Sequence, residues 1–117
     1  MRMNEVDFEG MPPIDGYGPG FFRVSGQVME GHLLMLPSGP QSWKGFEDLE
    51  AILGEGGEVD VLFIGMGADI GHPPAAFNEA LKGAGIAFEA MGTSPAARTY
   101  NVLLSEGRRV GAALLAV

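Results

Sequence analysis

Arg98, Asn101 and Ser105 recur at i, i+3 and i+7, so one polar stripe of a helix would carry a cation, a carboxamide and a hydroxyl together. Thr93 and Ser94 stand just upstream, where that helix would begin. The chemistry open to such a stripe is anion recognition. Arg98 would be the anchor, with the Ser94 hydroxyl and the free amides of the first turn as donors. A cation near a helix N-terminus opposes the helix dipole by about 0.3–1 kcal/mol when exposed, so something should compensate it. Two compensations fit: an anionic ligand, or an internal ion pair with Asp69 or Glu89.

Gly65-Met66-Gly67 invites a dinucleotide-binding reading, with Asp69 and His72 close behind. The third glycine of that fingerprint would fall at position 70, which is Ile70. Pro73 and Pro74 also remove amide donors where a pyrophosphate would need them. The alternative is a strand exit in which glycine serves positive φ or close packing. His32 and His72 are the only histidines and there is no cysteine, so one chain lacks an evident structural zinc set. No Gly-x-Ser-x-Gly, phosphate-binding Walker loop or His-Glu-x-x-His is present. Ser38, Ser42 and Ser94 have no base visible in the sequence, so no residue is assigned a catalytic role. Trp43, between Pro40 and Gly45, fits either an exposed aromatic contact for a protein partner or a core residue.

The elements that would position these residues divide the chain. Met11 to Gly20 is dense in Pro and Gly and reads as loop, with residues 1–15 an irregular arm. Phe21–Val24, Gln27–Glu30 and His32–Leu36 read as an antiparallel β-meander. Phe46, Leu49, Ile52 and Leu53 predict a short helix ended by Gly54, Gly56 and Gly57. Val59 to Ile64 is nearly continuously apolar, as in a strand buried on both faces. Pro73-Pro74 opens a second helix, Ile86 to Met91 is a strand, and Ser94-Pro95 starts the last helix as N-cap and first residue. Arg109 to Val117 closes the chain as a strand. The second half is thus β-α-β-α-β, with parallel strands and right-handed crossovers, and the meander joins its edge or end. Gly65, Gly67, Asp69, His72, Thr93, Ser94, Arg98 and Asn101 would then meet at the ligand crevice of an α/β sheet.

Composition narrows the partners. A formal charge of −8 over 117 residues repels nucleic acid and anionic lipid. No apolar run reaches membrane-spanning length. The first residues, with Glu5, Asp7 and Glu9, lack the features of a signal peptide or mitochondrial presequence, so a cytoplasmic bacterial protein of one domain over residues 1–117 is expected. Exposed sheet edges would permit homo-oligomers.

The segments Asp60 to Gly67, Pro73-Pro74, Gly85-Ile86, Met91-Gly92-Thr93 and Ala97 to Val110, with Leu36 to Gly39 and Ser42-Trp43, stand in an order that resembles the domain of unknown function 498 family. That family is similar to the mitochondrial complex I (NADH dehydrogenase) assembly factor 3. The resemblance runs from about residue 16 to 117. It implies a three-layer α/β fold with a mixed sheet and no cofactor or established reaction. It also implies a protein-binding role in complex I assembly, with a respiratory subunit or another assembly factor as partner. The alternative from the residues themselves is a small-anion or metabolite site, or an enzyme, at the Arg98 crevice.

Overall fold

The apolar run that ends at Ile64 becomes a central strand because both of its faces are covered. The computed structural model describes residues 11–69 and 71–117, and residues 1–10 of the irregular arm expected over 1–15 lie outside them. In chain order the elements are β1 (Ile14–Gly18), β2 (Phe21–Val24), β3 (Gln27–Glu30), β4 (His32–Leu36) and β5 (Gly39–Trp43). Then follow α1 (Glu50–Glu55), a 3-10 turn (Gly56–Glu58), β6 (Val61–Gly65), α2 (Ala75–Gly83), β7 (Phe88–Met91), α3 (Thr93–Ser105) and β8 (Val110–Leu114). The main sheet has the order β5-β4-β8-β6-β7. β8, β6 and β7 run parallel, and β4 and β5 join antiparallel beside β8. The fold is therefore a three-layer α/β arrangement around a mixed sheet, as the family resemblance implied.

Alternation along the strands sorts side chains to two cores. Leu34, Leu36, Leu62 and Ile64 pack with Ile52 of α1 and with Phe77 and Leu81 of α2. Leu33, Met35, Phe63, Ala112 and Leu114 pack on the other face with Ala96, Ala97 and Tyr100 of α3. Truncating a fully buried aromatic such as Phe77 to Ala costs about 3–5 kcal/mol.

The N-terminal third differs from the single meander expected. β1, β2 and β3 form a separate three-stranded antiparallel sheet, while β4 and β5 belong to the main one. Val24 pairs with Gln27 across a two-residue loop in which Ser25 and Gly26 take φ of 53° and 78°, the left-handed pair a tight hairpin requires. Ile14, Phe22 and Val24 turn this small sheet onto the α3 core. β1 replaces part of the expected loop, so Ile14 and Asp15 are strand and not arm. β5 forms despite Pro40 because it is an edge strand, where a missing amide need not be paired.

Two helix starts also shift. Asp48 accepts the Lys44 amide on its carboxylate at 3.1 Å and the Trp43 indole N–H on its carbonyl at 3.0 Å, which holds residues 44–48 as a loop. α1 therefore begins at Glu50, after Phe46 and Leu49 have already reached the core. α3 begins at Thr93, with Gly92 as its N-cap, so Ser94 and Pro95 lie inside its first turn.

Candidate functional site

The two glycine-bearing exits do meet at one rim. The Thr93 amide donates to the Gly67 carbonyl at 2.9 Å, and the Gly67 amide donates back to the Thr93 hydroxyl at 2.8 Å. That hydroxyl in turn donates to the Leu115 carbonyl at 2.7 Å. One buried side chain thus joins the ends of β6 and β8 to the start of α3. Gly67 has φ of 88°, which lets the chain turn out of β6. Gly65 is needed for a different reason: a Cβ there would lie 2.7 Å from Leu114 Cδ2 and 2.9 Å from the Thr93 backbone. The glycines match the alternative of strand exit and close packing. Thr93 has both of its hydrogen-bonding functions engaged within the protein.

Arg98 lies elsewhere. Ser94, Arg98, Asn101 and Val102 present one face of α3 to β1, and with Ile14, Asp15, Gly16, Tyr17 and Ala97 they line a cleft of about 300 Å³. Asn101 closes its inner end. Its Oδ1 accepts the Ile14 amide and its Nδ2 donates to the Ile14 carbonyl, both at 2.8 Å. The carboxamide pairs both backbone groups of Ile14 as a neighbouring strand would. Next to it the Tyr100 hydroxyl donates to the Pro12 carbonyl at 2.9 Å. Burial pushes the Tyr100 phenol well above its ordinary value, so it stays a neutral donor. Asn101 and Tyr100 are therefore the clamp that positions β1 against α3.

The outer part of the cleft is open. Tyr17 is 40% exposed and Val102 is 49% exposed, and both line the cleft together with the exposed Arg98. Among the described residues the one ion pair is Arg109 with Asp60, at 2.9 Å, so neither Asp69 nor Glu89 takes the part expected for an Arg98 partner. Asp15, which also lines the cleft, accepts the Gly26 amide on its carboxylate at 3.4 Å in the hairpin turn. Tyr17 and Val102 were not singled out for this site by the sequence. The readable signal was Val102, an apolar residue four positions after Arg98 and off the buried stripe of the helix.

The other expected site residues are not part of this cleft. Asp69 and His72 are exposed on the segment after β6. Trp43 requires a correction: it is only 3% exposed, so it offers no surface to a partner. Its ring packs edge-on to Phe46 at 5.4 Å, and Phe77 lies 6.3 Å away. His32 lies beside it and accepts the Ala116 amide on Nδ1 at 2.8 Å. Among the described residues no three His, Asp or Glu side chains group to hold a metal ion. None of their helices is long and apolar enough to cross a membrane.

Fold and cleft together define a small three-layer α/β domain whose polar side chains near the strand exits mostly serve its own backbone. The chain belongs to the family described as protein of unknown function (DUF498/DUF598), whose match covers residues 14–115. It is 54% identical over 115 residues to an uncharacterised protein of Rhodobacter capsulatus, covering 98% of this chain and 93% of that one. It is 32% identical over 109 residues to a Danio rerio protein named NADH dehydrogenase [ubiquinone] 1 alpha subcomplex assembly factor 3. That alignment covers 87% of this chain and 63% of the fish protein. A solved structure described as an outer membrane protein of Bartonella henselae superposes with a TM-score of 0.83 at 37% identity, covering 95% of this chain and 99% of that one.

Proposed function

We propose that this chain is a non-catalytic protein-binding factor that assists assembly of a respiratory NADH dehydrogenase. The observation that carries the proposal is the 32% identity to an assembly factor of that enzyme, sustained over 109 residues. The side-chain chemistry supports it. Thr93 and Asn101, the polar groups best placed to serve a small ligand, are engaged with backbone, whereas Tyr17, Arg98 and Val102 stay accessible. Tyr and Arg are enriched among residues that dominate protein interfaces. The acidic balance disfavours nucleic acid.

The second reading, a small-anion or metabolite site anchored by Arg98 and Ser94, draws on the volume of the cleft those residues line. The experiment that tests the first reading is affinity capture of the tagged chain from its source organism after mild cross-linking. Subunits of the NADH dehydrogenase, or a second assembly factor, should be enriched over an untagged control. A chain recovered with none of them contradicts the proposal.

A further inference from the structure

The geometry points to the β1–α3 cleft as the docking surface, and to an extended acidic segment of a partner protein as its occupant. The inference rests on the protein-binding reading and deepens it. Three observations carry it. The first is charge. The chain has 15 acids against 7 bases, so most of its surface repels an acidic partner. In this cleft the balance is even, one exposed base, Arg98, to one acid, Asp15, whose carboxylate already accepts the Gly26 amide, so Arg98 is the group left to meet a carboxylate.

The second observation is composition. Of the five large apolar side chains that stand exposed among the described residues, Tyr17 and Val102 both line this one cleft. An aromatic and an aliphatic wall beside a guanidinium would receive an apolar side chain and an adjacent carboxylate. A volume of about 300 Å³ suits one or two side chains of a peptide and not a folded surface.

The third is backbone. Among the described residues β1 pairs with β2 on one side only, and on the other side a single residue, Ile14, is paired by the Asn101 carboxamide. A side chain there already imitates a neighbouring strand. An extended segment entering beyond Asn101 would continue that edge along Gly16 to Gly18, which is how peptides commonly add to sheets. Its carboxylate would meet Arg98 and its apolar side chain would sit between Tyr17 and Val102.

The test uses the intact chain, isotope-labelled, and a capped peptide Thr-Val-Glu-Val-Thr-Val, with a second peptide carrying Lys in place of Glu. Amide shifts should concentrate at Gly16, Tyr17, Arg98 and Val102, and the Glu peptide should bind about fivefold more tightly than the Lys peptide, the size expected of an exposed charge pair. Arg98→Glu should reverse that order, while Lys82→Glu, an equal charge change on α2, should leave it intact. Shifts that fall outside the cleft, or equal binding of both peptides, overturn the inference. So does an Arg98→Glu chain that keeps the original preference. Inorganic phosphate alone reproducing the shifts would mark a simple anion site, and shifts that track protein concentration would mark a second copy; either overturns it too. Peptide binding at another edge would sink the cleft and leave the protein-binding reading standing. Cleft binding without any respiratory subunit in the capture experiment would do the reverse.

Discussion

Replacing Thr93 by Val removes one hydroxyl and keeps the shape of the side chain. The hydroxyl accepts the Gly67 amide at 2.8 Å and donates to the Leu115 carbonyl at 2.7 Å, within a residue that has no exposed surface. Each such bond contributes about 1 kcal/mol net, and each backbone group left unpaired away from water costs about 1–3 kcal/mol. The loss should therefore be about 2–4 kcal/mol. For a chain of this length that corresponds to a fall in Tm of about 8–15 °C. Thr93→Ser keeps the hydroxyl and gives up one methyl group, so it should lose only about 1 kcal/mol. Urea unfolding followed by circular dichroism measures both. A Thr93→Val chain within about 0.5 kcal/mol of the parent would refute the junction account, because that is the range of a surface substitution that breaks nothing.

Three further predictions concern the same framework. The Tyr100 phenol is raised above its ordinary value of 10.0, so the native chain holds its proton where the unfolded chain loses it. Stability should thus be full below pH 10 and fall above it by up to about 1.4 kcal/mol per pH unit, and in Tyr100→Phe that alkaline slope should vanish at the expense of the Pro12 hydrogen bond. Asn101→Leu removes both bonds to Ile14 and should cost about 2 kcal/mol, with faster hydrogen exchange at the Ile14 amide; unchanged exchange there would contradict the clamp. Gly65→Ala places a Cβ within 3 Å of the Thr93 backbone and should destabilise by about 1–3 kcal/mol in the same urea titration.

What the sequence disclosed and what it hid follow from how local each signal is. The apolar run at β6 is its own evidence, and so are the hairpin glycine and the helical stripe of Ala96, Tyr100, Leu103 and Leu104. β1 was hidden because Ile14-Asp15-Gly16-Tyr17-Gly18 has weak strand character and an irregular register between Ile14 and Gly16. Its outer edge is paired at Ile14 by Asn101, 87 positions away, which no local pattern displays. β5 was masked by Gly39 and Pro40, which mark a break until the strand is known to be an edge. The polar stripe on α3 was legible as a stripe. Its direction was not, because β1, the strand that it faces, carries too little strand signal to be read from the sequence. Arg98 was therefore expected beside the strand exits, where Thr93 and Gly67 bind each other, and it lies instead against β1.

The most direct measurement is made in a strain of the source organism that lacks this chain. Membranes are resolved on native gels stained for NADH dehydrogenase activity, and the mature enzyme is quantified. Assembly function predicts a clear loss of the mature enzyme, restored by the wild-type chain and not by Arg98→Glu combined with Val102→Glu, provided the variant accumulates normally. A deletion strain with a full complement of the enzyme would contradict the proposed function.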